Sequence, residues 1–386
     1  MPTSVTRLPD FPWDSLAATK QRASSHADAA IDGPAGRGIV DLSVGTPVDP
    51  TPDVVRAALA DASDAHGYPL TSGTADLREA VAQWFAGRRG VPDVDPAGVL
   101  PTIGSKELVA WLPLLLGLGA GDVVGFPRVA YPTYDVGARL AGATPLPIDA
   151  LTSLGPPTSA TTPKLLWLNT PGNPTGKVLG VEHLAKVVAW ARRHGVVVAS
   201  DECYAELDWR EREPGSTEPP TTTSILDPRV TGGSHEGLLC VYSLSKQSNL
   251  AGYRAAFVAG DPALVGRLLE VRKHAGMMMP WPVQRAVLAA LGDVAHVEEQ
   301  KARYAARRAA LRPAIERFGL RVDDSEAGLY LWATAGEDGR ATVERLADRG
   351  ILVAPGDFYG PAGRLHVRVA LTATDERVAA AVRRLV

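Results

Sequence analysis

Short, nearly continuous apolar runs recur along the chain at residues 99–103, 122–126, 164–168, 196–200, 238–242 and 255–259. Runs of that length, bounded by polar residues or glycine, predict buried strands. Between them the apolar positions return every three or four residues. Residues 53–62, 75–88, 104–116 and 181–194 therefore read as helices, and Leu77, Val81, Trp84 and Phe85 fall on one face of the second. Strand alternating with helix argues for a largely parallel sheet covered on both faces. A short strand at 41–44 runs into a Gly45-Thr46-Pro47 turn. Beyond Gly260 the rhythm changes. Helices dominate 262–318, and short strands follow at 321–323, 330–333, 351–354 and 365–370, with helices at 342–348 and from Thr374. The predicted fold class is α/β, with a large domain over 48–285 and a smaller α+β domain made of 1–47 and 286–386.

Three other stretches have simple readings. Residues 210–236, rich in Pro, Thr and Gly, read as a surface loop. Lys301, Arg303, Arg307, Arg308 and Arg312 read as the solvated face of a helix. Residues 1–40 are polar and irregular apart from Phe11-Pro12-Trp13-Asp14, whose rings must pack on this chain or on a partner. That knot is either a strapped-down terminus or a lid over a site.

Composition narrows the function classes. A chain of 386 residues is longer than one compact core usually holds, so two domains are expected, and 45% hydrophobic with 22% charged residues is ordinary for a soluble globular enzyme. A net charge of -3 makes no case for nucleic acid or an anionic membrane. Two cysteines, Cys203 and Cys240, are too few for a disulfide framework or a typical zinc site, so a reducing, cytoplasmic setting and no metal are expected. No signal-peptide pattern opens the sequence, and no run reaches the ~18 apolar residues of a membrane span.

The candidate chemistry lies just past the predicted strand ends. After the 238–242 run come Ser243, Leu244, Ser245 and Lys246, with Arg254 eight residues beyond the lysine. Desolvation where a buried strand meets a loop lowers a lysine's pKa and frees its amine as a nucleophile. Two hydroxyls and an arginine are donors for an anion such as phosphate. A solvated turn lysine would be the ordinary alternative. However, Gly104-Ser105 at a helix N-terminus, Asn173 in Asn173-Pro174-Thr175-Gly176, and Asp201-Glu202-Cys203-Tyr204 also follow strand ends. In an open parallel sheet that edge is where ligands bind.

These motifs, with His366-Val367-Arg368, resemble the class I/II aminotransferases of the aspartate aminotransferase fold, and the match spans nearly the whole chain. The resemblance implies a seven-stranded, mostly parallel sheet, the cofactor pyridoxal 5'-phosphate, and a homodimer with shared sites. It implies that Lys246 joins the cofactor aldehyde and moves the proton, that Asp201 pairs with the ring nitrogen, and that Asn173 and Tyr204 bond the ring hydroxyl. Gly104, Ser105, Lys106, Ser243, Ser245 and Arg254 would hold the phosphate. Tyr131 would stack on the ring, and Tyr68 would reach the phosphate of the partner subunit. Arg368, with the Gly45 backbone and Asn173, would hold the substrate α-carboxylate. Glu202 and Cys203 read as structural: Cys203 would face opposite to its neighbours if the strand continues, and a buried, inert thiol is expected; His66 is expected to pack.

Residues 8–14, 41–50 and 245–254 look more narrowly like the actinobacterial N-succinyldiaminopimelate aminotransferases. These exchange an amino group between N-succinyl-LL-2,6-diaminopimelate and 2-oxoglutarate on the route to lysine. Lys106, Arg128 and the Phe11-Pro12-Trp13 segment are candidates for reading the succinyl arm. Carbon–sulfur β-lyases and aminocyclopropanecarboxylate synthases carry the same lysine, aspartate, tyrosine and arginines, and remain alternatives. A regulator with an aminotransferase-like domain would need a helix-turn-helix, and none precedes Asp41. A nucleotide-binding Rossmann protein would show G-x-G-x-x-G after the first strand, which is also missing.

Overall fold

The apolar runs become strands, and their order explains why the polar residues behind them meet. The computed structural model describes residues 8–26, 38–154, 162–211 and 218–385. In chain order the strands are β1 (Val40–Asp41), β2 (Val99–Ile103), β3 (Val123–Pro127), β4 (Thr144–Ile148), β5 (Leu165–Asn169), β6 (Val197–Asp201) and β7 (Leu238–Ser243). Then come β8 (Ala255–Gly260), β9 (Arg321–Asp323), β10 (Tyr330–Thr334), β11 (Ile351–Leu352), β12 (Ala354–Pro355) and β13 (Val367–Ala370). Among the described residues, seven strands form one sheet in the order β2-β8-β7-β6-β5-β3-β4. Only β8 runs antiparallel to its neighbours, β7 and β2. The carboxyl ends of β2, β3, β5, β6 and β7 therefore share one edge, and the chain enters β8 there as well.

The sheet is buried on both faces. Along β7, Cys240 and Tyr242 join a core with Trp84, Phe85 and Phe257, while Leu239 and Val241 join another with Leu108, Tyr134 and Trp167. This two-residue alternation is why the run reads as continuously apolar. The helix Ala75–Arg89 supplies Trp84 and Phe85, and it ends where Gly90 adopts a left-handed φ of 66°. The strand β4 has no counterpart in the apolar pattern. It carries Pro145 and Pro147 and lies at the sheet edge, where a missing N–H is tolerated.

The second unit is an antiparallel sheet, β12-β13-β10-β9, beside a parallel pair of β1 with β11. The predicted strand at 351–354 is thus two strands in different sheets. Its core gathers Leu311, Ile315, Tyr330, Trp332, Val367 and Val369. The core beneath the large sheet takes in Leu291, and the second core takes in Tyr304.

Two simple readings are corrected. Arg307 is only 3% exposed: it holds both carboxylate oxygens of Asp49 at 2.8 and 2.6 Å and Asp375 at 2.7 Å. Counting basic residues hides this, because the helix Ala295–Arg317 turns Arg307 inward with Tyr304 and Leu311. Within 210–236, Thr222, Ser224, Ile225 and Leu226 are buried, and Pro228–Thr231 is a helical turn. Residues 212–217 of that predicted loop lie outside the described ones. Among the described residues no helix is long and apolar enough to cross a membrane.

Candidate active site

A cavity of about 2110 Å³ opens at the shared strand edge. It is lined by Gly45, Ser105, Lys106, Tyr131, Asn173 and Asp201, and by Tyr204, Ser243, Ser245, Lys246, Arg254 and Arg368. Of the residues expected at the site, only Gly104 and Tyr68 do not line it. Gly104 lies directly behind, against Arg254; Tyr68 is 97% exposed elsewhere on the surface.

Lys246 sits in the single turn Leu244–Gln247 that follows β7. Its Nζ donates to the Gly45 carbonyl, and no carboxylate pairs with it among the described residues. Burial pushes its pKa down, and Arg368 and Arg254 add to the fall against the opposing pull of Tyr330 and Cys203. The lowered pKa has the direction that the position after a buried strand predicts.

Asp201 ends β6 and is buried. It accepts from the Tyr134 hydroxyl at 2.9 Å and the Cys203 N–H at 3.2 Å. Burial raises its pKa and these bonds oppose the rise. It is a buried carboxylate with no cationic partner of its own among the described residues. The chain turns after Asp201, so Cys203 lines the cavity instead of facing away, because the strand does not continue past Asp201. Glu202 points into the core, paired with Arg89 at 2.6 Å and accepting from the Ile225 N–H at 2.7 Å. His66 does not pack; its side chain is 90% exposed.

An anion cradle lies at the far side. Ser105 opens the helix Ser105–Leu115, and Gly104 precedes it at φ 79°, ψ 151°, a conformation open essentially to glycine. A Cβ at Gly104 would fall 2.1 Å from a terminal nitrogen of Arg254. Arg254, itself left-handed at φ 56°, donates one bond to the Ala251 carbonyl and has no carboxylate partner among the described residues. Ser243 Oγ caps the next turn, accepting from the Ser245 N–H at 3.2 Å. A helix N-terminus, two hydroxyls and a free guanidinium fit a phosphate. The unpaired Asp201 fits a protonated ring nitrogen, and the lowered Lys246 fits an aldehyde. The residues present thus fit pyridoxal phosphate.

Arg368 lies on β13 and is buried. It donates to Asn173 Oδ1 at 3.0 Å and to the Ser43 carbonyl at 2.7 Å, while its buried Nε has no partner. Rings enclose it: its guanidinium carbon lies 3.9 Å from the Tyr330 centroid, 5.0 Å from Tyr359 and 5.9 Å from Trp13. Trp13 in turn packs on Phe358 at 5.1 Å, so the N-terminal aromatic knot packs on this chain, beside the site. Tyr131 lines the wall, its hydroxyl pushed up to about 12 by burial. Lys106 Nζ lies 5.5 Å from the Phe11 ring centre and 5.9 Å from that of Tyr131, with its pKa lowered by burial and by Arg254.

Sequence reasoning missed Tyr134 and Tyr330. Tyr134 was legible only as one ring of an aromatic loop. Tyr330 could have been found from register: Trp332 pairs with Arg368, so Tyr330, two residues earlier, shares the arginine's face.

A buried lysine sharing a cavity with an unpaired carboxylate and an arginine fork is the equipment of an enzyme that handles an amino group beside a carboxylate. The model of the family "Aminotransferase class I and II" matches residues 37–385, and the chain belongs to that family. It is 61% identical to "Probable aminotransferase Rv1178" of Mycobacterium tuberculosis over 98% of this chain and 85% of that protein. It is 57% identical to "4-dedimethylamino-4-oxo-anhydrotetracycline transaminase OxyQ" of Streptomyces rimosus over 99% of this chain and 100% of the other. A solved structure of a "probable N-succinyldiaminopimelate aminotransferase" from Thermus thermophilus superimposes with a TM-score of 0.82 at 29% identity, covering 97% of this chain and 99% of that one.

Proposed function

We propose that this aminotransferase works with pyridoxal phosphate and exchanges an amino group between N-succinyl-LL-2,6-diaminopimelate and 2-oxoglutarate. The observation that carries the amino-transfer chemistry is Lys246, buried without a carboxylate partner among the described residues and tied to the Gly45 carbonyl, in one cavity with the buried and incompletely bonded Arg368. Bound pyridoxal phosphate supplies an electron sink for the carbanion formed at the substrate α-carbon. In this reading Arg368 binds the α-carboxylate through its free donors, oriented by Asn173 and the Ser43 carbonyl. Lys246 carries the proton to and from the α-carbon. Asp201, whose carboxylate form is favoured by the bonds from Tyr134 and the Cys203 N–H, would pair with the ring nitrogen. Tyr204 would bond the ring hydroxyl, Tyr131 would line the wall beside the ring, and Ser105, Ser243, Ser245 and Arg254 would retain the phosphate.

The substrate assignment rests on the resemblance of residues 8–14, 41–50 and 245–254 and on Lys106, a cation in the cavity with no acidic partner among the described residues. The likeness to the Thermus thermophilus protein supports it. A second reading takes a bulky polycyclic ketone as acceptor. The relative named for an anhydrotetracycline supports it, as does the aromatic lining from Phe11, Trp13, Phe126 and Phe358. The same proposal includes a homodimer in which the exposed Tyr68 and its neighbour Leu70 meet the partner's site. It includes a division into residues 48–285 and 1–47 with 286–386, and a cytoplasmic setting, which suits the two buried free cysteines.

The test is a half-reaction. Purified, cofactor-loaded protein is mixed with glutamate, and separately with N-succinyl-LL-diaminopimelate, while the visible cofactor band is followed. Both should bleach the band, and 2-oxoglutarate should restore it. Bleaching by glutamate alone removes the succinylated substrate and leaves the polycyclic ketone to be tried as acceptor. Turnover without any keto acid would instead mean a carbon–sulfur lyase.

A further inference from the structure

Tyr330 stands between the groups that the reaction needs and is assigned to none of them. It opens β10, and the β10–β13 register sets it diagonally across from Arg368 on one face. The ring lies under the guanidinium carbon at 3.9 Å, nearer than any other aromatic. The hydroxyl lies 3.1 Å from the hydroxyl of Tyr204. It also packs against Gly45, where an added Cβ would fall 2.0 Å from the Tyr330 oxygen. Gly45 is the residue whose carbonyl receives Lys246 Nζ. A ring needed only to fill the core would have no use for a hydroxyl here, with the charges of Lys246 and Arg368 around it.

We infer that Tyr330 is a positioning residue of amino transfer: its ring seats the Arg368 fork, and its hydroxyl, between Tyr204 and Gly45, sets the proton balance at Lys246. Two electrostatic effects agree with the geometry. Burial pushes the Tyr330 hydroxyl up, but Arg368, Lys246 and the bond from Tyr204 outweigh it, so its pKa falls below the ordinary value. Burial and the neighbouring Tyr330 hold Tyr204 well above. Either hydroxyl of the 3.1 Å pair can donate to the other. The titratable groups that interact with the Tyr330 hydroxyl are Tyr204, Lys246, Arg368 and Asp201, with Tyr131, Tyr304 and Tyr359 on the other elements packed around it. An electron-rich oxygen near Lys246 favours the protonated nitrogen, so removing it makes that proton leave at lower pH.

The inference rests on pyridoxal-phosphate chemistry but not on the succinylated substrate, so its test uses glutamate alone. Tyr330→Phe and Tyr330→Met are prepared in the full chain and loaded with pyridoxal phosphate. The pH midpoint of the visible band, the KM and kcat for glutamate, and the thermal midpoint are measured for each. Tyr330→Phe keeps the ring and should shift the band midpoint down by about half a unit or more, with KM within about two-fold of wild type. Tyr330→Met loses the ring and should raise the glutamate KM about ten-fold, more than it lowers kcat. A Tyr330→Phe midpoint equal to wild type overturns the inference, whether or not Tyr330→Met folds. A folded Tyr330→Met with unchanged KM overturns the seating of Arg368. A wild-type protein with no visible band would refute the cofactor reading itself, a failure distinct from either.

Discussion

The hydroxyl of Tyr134 donates to Oδ2 of Asp201 at 2.9 Å, joining the helix after β3 to the end of β6. This bond opposes the burial that raises the Asp201 pKa. Replacing Tyr134 by Phe removes it while leaving the stacking on Trp167, now at 5.1 Å, largely in place. The carboxyl should then hold its proton to higher pH, and the acid limb of the activity profile should move up. Pyridoxal-phosphate retention, followed by dialysis and absorbance, should weaken about ten-fold, the scale of a hydrogen bond to a charged group. An unchanged acid limb would separate Tyr134 from the ionisation of Asp201.

Gly104 is required by its neighbour as much as by its φ. Gly104→Ala would press a methyl into the Arg254 guanidinium, 2.1 Å from the new carbon, and strain the backbone at φ 79°. Since Arg254 is the cradle's guanidinium, pyridoxal phosphate should bind at least ten-fold more weakly, while unphosphorylated pyridoxal should be affected far less. Fluorescence titration of the apoprotein with each compound distinguishes the two.

The Arg89–Glu202 pair is wholly buried, at 2.6 Å. Arg89→Met leaves a carboxylate in the core bonded to the Ile225 N–H and the Cys240 thiol but with no cation, at a cost of about 3–5 kcal/mol. Arg89→Met with Glu202→Leu removes both charges and should recover much of that loss. Denaturant midpoints of the three proteins check this; a double variant as unstable as the single would mean that packing around Trp84 and Phe85 carries the effect.

Asp49 sets an acid-side dependence. Burial alone would raise its pKa, but the bonds from Arg307 and Gln300 and the charge of Arg307 outweigh burial and hold it below the usual value. A carboxyl depressed in the folded state stabilises above its unfolded pKa of about 3.9 and ceases to do so as pH falls through the folded value. Asp49→Asn should therefore be less stable than wild type at pH 7, by about 3 kcal/mol. The gap should close as the pH is lowered below about 4. Denaturant curves at several pH values measure it.

Much of the fold was legible because a doubly covered parallel sheet writes its strands as apolar runs. The helix at 181–194 and the strands β2, β7 and β8 emerged within a residue or so of their predicted bounds. The strand-end loops announced the site because their polar residues had no other reason to follow buried strands. What stayed hidden depends on distant partners. Arg307 looks like any surface arginine until Asp49 and Asp375 close on it. Cys203 would face opposite to its neighbours only if the strand continued, and the chain turns after Asp201. Tyr330 is an ordinary strand aromatic until the β10–β13 register brings it to Arg368. The edge strand β4 escapes because its prolines break the pattern that marks the others.

The antiparallel β8 has a consequence for how the protein is made. Its entry turn carries Arg254, so by the time β8 has left the ribosome every residue of this chain proposed to hold the phosphate, from Gly104 onward, has been synthesised, together with all strands of the large sheet. The arginine fork does not yet exist: Arg368 arrives with β13, the last strand, and β1 waits for β11 before it can pair. On the proposed roles, a nascent chain would complete its phosphate-holding residues well before the arginine proposed to hold the substrate carboxylate exists.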